Sequence, residues 1–166
     1  YELDYCDWSS DVCSSDLLIF VLNLAAATGA FGLGFFQDRV GHKPTLAVTL
    51  AGWVLTCVLA GLSQTKADFW VAAVLAGVCM GSSQSASRAM TGLFAPEQKL
   101  AEFYGLWSFA TRLASIIGPL SFGAITWATG GHQRVAILST AVFFVLGLLM
   151  MLPLNIARGR AAAHPD

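Results

Sequence analysis

The chain has 166 residues, of which 56% are hydrophobic and only 11% are charged, and its formal net charge is −1. A soluble domain carries about 25% charged residues, so charge is depleted here by roughly half. The apolar residues stand in long blocks, which indicates a membrane protein. The near-neutral charge, with no basic patch interleaved with aromatic residues, argues against nucleic acid as a partner.

The N-terminal segment differs in composition from the rest of the chain. Residues 7–17 read Asp-Trp-Ser-Ser-Asp-Val-Cys-Ser-Ser-Asp-Leu, which resembles one reading frame of a common sequencing adapter. The segment has neither the basic region nor the small-residue cleavage site of a signal peptide. We therefore expect residues 1–17 to be a non-native extension, the alternative being a natural Ser/Asp-rich loop. The native protein would then continue upstream of Leu18.

Five stretches of the chain are apolar and long enough to cross a bilayer, which takes about 20 residues. They are Leu18–Phe36, Thr45–Leu62, Phe69 to about Met90, about Glu102 to Ala128, and Val135–Leu154. The length of the runs and the lack of strict alternation argue against strands. The sequence predicts an all-α polytopic membrane domain over residues 18–154 and a polar tail over residues 155–166.

Single residues add local predictions within these spans. Pro44 opens the second helix, where a missing N–H does no harm, and Asp68 is a candidate N-cap of the third. Cys57 and Cys79 lie in different apolar spans without a partner at metal-ligand spacing. We expect both cysteines to act as small hydrophobic residues.

Basic residues set the predicted orientation, since cytoplasmic loops carry the excess of Lys and Arg. The short connections make neighbouring helices antiparallel, so the turns alternate between the two sides of the membrane. One side holds Arg39, Lys43, Arg88, Lys99, Arg158 and Arg160, and the other holds Lys66 and Arg134. This asymmetry predicts a cytoplasmic location for the first turn and for the C-terminus, in a multi-pass protein of the plasma membrane.

A charged turn separates the first two apolar runs and reads Gly34-Phe-Phe-Gln-Asp38-Arg39-Val-Gly41-His42-Lys43-Pro44. Gly34 would let a neighbouring helix approach, and Gly41 permits the positive φ of a tight reversal. The Asp38 carboxylate can pair with an Arg or with the positive N-terminus of an adjacent helix. Any one of these residues alone fits an ordinary solvated turn.

Taken together, Gly34, Asp38, Arg39, Gly41 and Lys43 form the pattern G-x-x-x-D-R-x-G-x-K. This pattern resembles the loop signature of the major facilitator superfamily of secondary transporters. The resemblance implies that Asp38 and Arg39 belong to a cytoplasmic gate that closes the inner side of the outward-open state. His42 stands where a second fixed basic residue is usual.

The third span carries a small and polar face at helical spacing. Gly77 and Gly81 form a small-x-x-x-small pair, which allows close helix contact in lipid. Gln84 follows on the same face with Ser85 and Arg88. An amide is costly against lipid, so we expect Gln84 to face protein or a cavity.

The fourth span carries a polar stripe at steps of three and four residues, formed by Gly105, Ser108, Arg112, Ser115 and Pro119. An Arg inside the membrane costs at least ~2.5 kcal/mol on insertion scales and is a functional-site candidate by default. A fixed cation suits a substrate with a carboxylate or phosphate. Snorkelling and a structural ion pair remain alternatives, and Gly118-Pro119 predicts a kink.

A narrower resemblance rests on Ser87-Arg88, Pro96, Ala101-Glu102-Phe103-Tyr104-Gly105, Arg112 and Gly118-Pro119. These residues resemble the C-terminal half of the vacuole-effluxer, autophagy-related branch of the superfamily. The resemblance implies that the five spans are helices 8–12 of a twelve-helix transporter, with the N-terminal half upstream. It also implies a small polar solute, such as an amino acid for efflux, and places Arg112 where that branch carries a basic residue, usually Lys.

No pattern in the chain predicts an enzyme, a cofactor or a metal site. Gly32 and Gly34 begin a dinucleotide motif, but Gln37 occupies its last glycine position and no strand precedes it. The three histidines show no ligand spacing. A receptor, a scaffold or a permease subunit of a pump remains the alternative to a transporter. About six or seven further spans upstream, with a second charged turn between the second and third, would decide for the transporter.

The N-terminal extension yields the first prediction. Genomic reads across this locus should lack the codons for residues 7–17 and continue from Leu18 into a further apolar helix, because adapter sequence has no counterpart in the genome. Long native reads measure this directly. Reads that contain the segment without a junction would contradict the prediction.

Overall fold

The computed structural model describes residues 8–153, with side chains from residue 16 onwards. In this part of the chain there are five α-helices: α1 (Trp8–Val40), α2 (His42–Leu62), α3 (Lys66–Phe94), α4 (Leu100–Ala128) and α5 (Gln133–Met151). A short 3-10 turn, Glu97–Lys99, precedes α4. Each helix contains a segment long and apolar enough to cross a membrane. The predicted all-α fold with five spans is confirmed.

The helix ends differ from the predicted boundaries in specific ways. The first helix begins at Trp8 rather than at Leu18, although its apolar, membrane-length part begins only at Asp16. The fifth ends at Met151 rather than at Leu154. Leu154 itself, the tail with Arg158 and Arg160, and residues 1–7 of the proposed extension lie outside the described residues.

The start of α3 corrects the role predicted for Asp68. Thr65 is the N-cap, and its hydroxyl accepts a hydrogen bond of 3.2 Å from the backbone N–H of Asp68. The Asp68 carboxylate in turn accepts one of 3.1 Å from the N–H of Thr65. This reciprocal capping box satisfies two otherwise unpaired donors, so the helix begins at Lys66.

The connection between α1 and α2 is a single residue, Gly41. Its φ is +101°, and its N–H donates a hydrogen bond of 2.8 Å to the carbonyl of Gln37 at the end of α1. Only glycine adopts this conformation without strain, so the predicted role of Gly41 is confirmed. Pro44 lies in the first turn of α2, as predicted, where its missing N–H leaves no intrahelical bond unmade.

Glycines bring the backbones of α1 and α3 into direct contact. Gly81 lies against the backbone carbonyl of Ala26, and Gly29 lies against the backbone of Val78. A Cβ atom on Gly77 would come within 2.7 Å of the carbonyl oxygen of Leu22. The close helix contact predicted for Gly77 and Gly81 is confirmed, and its partner is α1. By contrast, no described atom lies within 4 Å of a Cβ built on Gly34.

The second helix lies between α3 and α5 and buries polar side chains. Thr45, Thr49 and Thr56 are buried, and each hydroxyl donates to a carbonyl of its own helix turn at 2.8–2.9 Å. Because these hydrogen bonds stay within α2, burial leaves no hydroxyl proton unpaired. Cys57 and Cys79 are also buried, which confirms their predicted role as small core residues.

The glycine contact yields a prediction about stability. Gly81→Ala should destabilise the full-length protein by about 1–3 kcal/mol, because its Cβ would overlap the α1 backbone and no flexible side chain can yield. Thermal unfolding of the purified protein in detergent measures the change.

The matched control is Gly147→Ala in α5, where no described atom lies within 4 Å of the added Cβ. This variant should be neutral or stabilising by up to about 1 kcal/mol through helix propensity. Equal melting temperatures for the two variants would contradict the role of the α1–α3 contact.

Candidate functional site

The charged turn lies at one end of the helical bundle. Asp38 and Arg39 occupy the last turn of α1, and both are exposed. The Arg39 guanidinium lies 4.3 Å from the centroid of the Phe35 ring, one turn back on the same helix. No hydrogen bond or ion pair joins the Asp38 side chain to another residue in the described part. Both charges are therefore presented outwards at the end of the bundle.

Lys43 behaves differently from the other residues of the motif. Its ammonium group donates a hydrogen bond of 2.8 Å to the carbonyl oxygen of Leu152, at the end of α5. The sequence suggested only a positive-inside charge and a motif position for this residue. Its acceptor is a backbone group 109 residues away, and no sequence pattern marks such a partner.

The fourth helix has no buried residue along its whole described length. Every residue from 108 to 120 is exposed, and these include the candidate site residues Ser108, Arg112, Ser115, Gly118 and Pro119. Arg112 lies about 18 Å from the start of α4 at a rise of 1.5 Å per residue. It therefore lies near the middle of a bilayer core that is about 30 Å thick.

Two contacts fix the position of α4 along α3. The phenol of Tyr104 fits against Gly92, where a Cβ would lie 2.9 Å from the phenolic oxygen, and its hydroxyl donates a long hydrogen bond of 3.4 Å to the carbonyl of Arg88. The Arg88 guanidinium lies 5.0 Å from the ring centroid of Trp107. Both contacts lie in the half of the membrane that holds the charged turn.

These contacts also set the relative depth of the candidate site residues. The helices are antiparallel, so each step back along α3 corresponds to a step forward along α4. Gln84 lies one turn before Arg88, and Arg112 lies about one turn beyond the Trp107 level. Gln84 and Arg112 are therefore at about the same depth, and both are exposed.

The polar stripe of α4 lies beside its contact with α3 rather than on it. At about 100° per residue, Arg112 is rotated by roughly 80° from Tyr104 and by roughly 140° from Trp107. The Arg112 guanidinium has no hydrogen-bond or ion-pair partner among the described residues. The amide of Gln84 on α3 and the polar stripe of α4 are thus both exposed at similar depth, and together they are called the polar surface below.

Hydrogen bonds within α4 leave acceptor oxygens on this surface. The Ser115 hydroxyl donates a hydrogen bond of 2.7 Å to the carbonyl of Arg112, so the hydroxyl oxygen stays available as an acceptor. The helix continues without interruption through Pro119. Pro119 has no N–H for the carbonyl of Ser115, which is the usual origin of a bend, and the kink at Gly118-Pro119 stays a prediction.

An apolar cleft of about 320 Å³ lies between α3 and α4, and Leu46 of α2 also lines it. Its walls include Met90, Phe94, Phe103, Leu106 and Trp107. Sequence reasoning missed this cleft and the contacts of Tyr104 and Trp107. The spacing of three residues between Tyr104 and Trp107, together with a glycine in α3, was the only sequence feature that pointed to these contacts. Within residues 8–153, no three His, Cys, Asp or Glu side chains are grouped as metal ligands.

Most of the chain matches a known protein family. The model of the family described as "Vacuole effluxer Atg22 like" matches residues 9–164. This chain belongs to that family. The resemblance to the vacuole-effluxer branch, read from Arg88, Arg112 and Gly118-Pro119, is thereby confirmed.

The relatives of this chain include proteins that are transporters by name. The chain is 32% identical over 140 residues to the uncharacterized MFS-type transporter YxiO of Bacillus subtilis, covering 83% of this chain and 32% of YxiO. It is 29% identical over 148 residues to autophagy-related protein 22 of Yarrowia lipolytica, covering 89% of this chain and 21% of that protein.

A third relative is a Na(+), Li(+), K(+)/H(+) antiporter of Planococcus maritimus. It is 33% identical over 141 residues, covering 81% of this chain and 32% of the antiporter. The chain thus spans about a third or less of the length of these curated relatives. No solved structure matches it.

Proposed function

We propose that this chain is the C-terminal half of a secondary active transporter that works by alternating access. Its five helices would correspond to helices 8–12 of a twelve-helix major facilitator fold. The seventh helix and the N-terminal half would lie upstream in the same polypeptide. Support comes from the family description as an effluxer and from the transporter names of the Bacillus and Planococcus relatives. It also comes from the third or less of the relatives' length that the chain covers.

The observation that carries this proposal is the uncovered polar side of α4. A lipid-facing Arg112 would cost at least ~2.5 kcal/mol on insertion scales, and no residue of α4 is buried against the other described helices. A cover from the upstream half of the chain would remove this surface from lipid. The space between the halves, near the midplane, would then be the solute cavity, as is usual in secondary transporters.

The chemistry of the surface favours a small polar solute with an anionic group. Arg112 offers a fixed guanidinium, which binds carboxylate or phosphate in bidentate geometry. Gln84, Ser108 and Ser115 offer hydrogen bonds to the remaining polar atoms. An amino acid meets these requirements, and efflux of amino acids is the activity that we propose.

Exchange of metal cations for protons, the activity in the name of the Planococcus relative, needs different residues. The described spans carry no Asp or Glu at mid-membrane depth, because Asp68 and Glu102 lie at helix ends. A carboxylate for proton or cation coupling would have to come from the upstream half. We therefore favour the anionic solute for the described surface.

Asp38 and Arg39 are proposed as part of the cytoplasmic gate. Both lie exposed at the end of α1, where the upstream half could pair with them. We further propose that the protein is a multi-pass protein of the plasma membrane with a cytoplasmic C-terminus, from the distribution of Lys and Arg. A non-transporting receptor, scaffold or permease subunit would have the same helices but no solute flux.

Replacing Arg112 tests the solute site. In the full-length protein, Arg112→Ala should reduce amino-acid efflux about ten- to hundredfold, the equivalent of one charge-assisted hydrogen bond, and leave membrane insertion intact. Efflux of radiolabelled amino acids from proteoliposomes and the amount of protein in the membrane are the two measurements. Arg112→Lys should keep partial activity if charge suffices, and little if recognition is bidentate.

Lys99→Ala serves as the matched control, since it removes an exposed cation at the end of the bundle, away from Gln84 and Arg112. Collapse of expression in Arg112→Ala would indicate a structural ion pair instead. Normal efflux in a well-expressed Arg112→Ala would leave snorkelling as the explanation and contradict the proposed site. No flux of any solute in the wild-type protein would favour the non-transporting module.

Replacing Asp38 tests the gate. Asp38→Asn should shift the full-length transporter away from its outward-open state, because the neutral amide cannot form the charged contact that closes the inner side. A single cysteine at Ser108, in a cysteine-free background, should react several-fold faster with an impermeant maleimide added from the cytoplasmic side.

Glu97→Gln is the matched control, an equally conservative change at an exposed acidic residue outside the motif. Its labelling rate should equal that of the parent protein. Equal rates in Asp38→Asn, together with unchanged transport, would reduce the motif to a solvated turn.

A further inference from the structure

The helices α2 and α5 are joined at both ends by hydrogen bonds from basic side chains. Lys43, the second residue of α2, donates a hydrogen bond of 2.8 Å to the carbonyl of Leu152, the C-cap of α5. Arg134, the second residue of α5, donates one of 3.0 Å to the carbonyl of Ser63, the C-cap of α2. Each helix therefore provides the cation that binds the C-terminus of the other.

These two hydrogen bonds are stabilising because the C-terminal end of a helix has carbonyl groups without a donor. The last carbonyl groups of a helix have no intrahelical donor, and the aligned peptide dipoles give that end a partial negative charge. A hydrogen bond from a cation satisfies the carbonyl and is stronger than a neutral one. In an antiparallel pair, the first turn of one helix lies beside the last turn of the other, so both ends can be joined at once.

A stacked aromatic pair lies midway between the two ends. Trp53 and Phe144, each the twelfth residue of its helix, have ring centroids 5.1 Å apart and an interplanar angle of 5°. Near Ser63, the side chain of Leu138 fits against Gly61, where a Cβ would come within 2.8 Å of it. The two helices are thus in contact at both ends and in the middle, in a single antiparallel register.

We propose that Lys43 and Arg134 are positioning residues that lock α2 and α5 into one rigid pair, with one lock at each membrane face. The lock gives Lys43 a role apart from Asp38 and Arg39, whose side chains point outwards. It also accounts for Arg134, a cation on the side of the membrane where Lys and Arg are sparse. The inference goes beyond the proposed function and holds whatever solute is transported.

Thermal unfolding of the full-length protein in detergent provides the first test. Lys43→Met and Arg134→Met keep much of the apolar stem and remove the cation, and each should lower Tm by about 2–4 °C. The two sites lie at opposite ends of the pair, so the shifts should add in the double variant. Lys43→Arg and Arg134→Lys should restore most of the stability, because they keep a donor at the carbonyl.

Lys99→Met and Lys66→Met are the matched controls, because they remove exposed cations at the same two ends of the bundle. Their Tm should stay that of the wild-type protein. A Tm loss in Lys43→Met that matches Lys99→Met, or that Lys43→Arg does not restore, would overturn the lock at that end. The same comparison with Lys66→Met and Arg134→Lys applies to Arg134.

A distance measurement tests rigidity directly. Spin labels at the exposed positions Val48 of α2 and Val142 of α5, in a cysteine-free full-length protein, should give one narrow distance distribution by pulsed electron paramagnetic resonance. The distribution should broaden in Lys43→Met and in Arg134→Met and stay narrow in both controls. An unchanged distribution in both lock variants would overturn the proposal. Neither readout uses transport, so this outcome is distinct from failure of the proposed function.

Discussion

The contact between the backbones of α1 and α3 is the constraint on which the rest of the structure depends. Lipid tails are as apolar as leucine side chains, so helices in a membrane associate through close packing rather than through the hydrophobic effect. Gly29, Gly77 and Gly81 remove the side chains that would hold the two helices apart. Because α1 and α3 run in the same direction, α2, which connects them in the sequence, must run in the opposite direction. The single-residue link at Gly41 begins that return.

The position of α5 follows from that of α2. With one side of α2 against α3, its other side packs against α5, and the stacked rings of Trp53 and Phe144 fix their register. The polar groups buried in this layer are threonines that bond to their own helix, and such groups add no requirement for a partner. Four of the five described helices therefore form a packed unit whose hydrogen bonds are satisfied internally.

The fourth helix contacts both α3 and α5 but buries no residue against either of them. Its contact with α3 is made through Tyr104 in the notch of Gly92 and through the Arg88 guanidinium beside Trp107. Cation–π contacts at exposed sites contribute only about 0.5–1 kcal/mol. Three of the polar residues that the sequence marked for function, Ser108, Arg112 and Ser115, lie on this helix, whereas Gln84 lies on α3 and the charged turn joins α1 to α2.

Most of the fold could be predicted from the sequence, because an apolar run of about 20 residues in lipid can satisfy its backbone only as a helix. Gly41 and the Gly77–Gly81 pair were also predictable, since glycine at a turn and at four-residue spacing has a direct steric meaning. The true N-cap of α3, Thr65, was also predictable, because Thr65-x-x-Asp68 is the pattern of a capping box. The adapter resemblance of residues 7–17 did not predict that α1 begins at Trp8.

The pairing of helices could not be predicted, because periodicity shows that a helix has a packing face but not which helix it meets. The acceptors of Lys43 and Arg134 are backbone carbonyls, and a carbonyl has no identity in the sequence. For the same reason, the mid-membrane depth of Arg112 was predictable and its relation to Gln84 was not. That relation depends on the register of α3 and α4, which two aromatic side chains determine.

The location of these aromatic contacts bears on how the candidate site can change. The contacts of Tyr104 and Trp107 with α3 lie in the half of the membrane that holds the charged turn, whereas Gln84 and Arg112 lie deeper. A tilt of α4 about those contacts would leave them nearly intact and alter the separation of the helices at the depth of Gln84. Alternating access requires such rocking of helices around a site near the midplane. Under the alternating access proposed above, the packed unit of α1, α2, α3 and α5 would provide a fixed frame. The helix α4, which carries the cation and buries no residue against α3 or α5, would move against that frame.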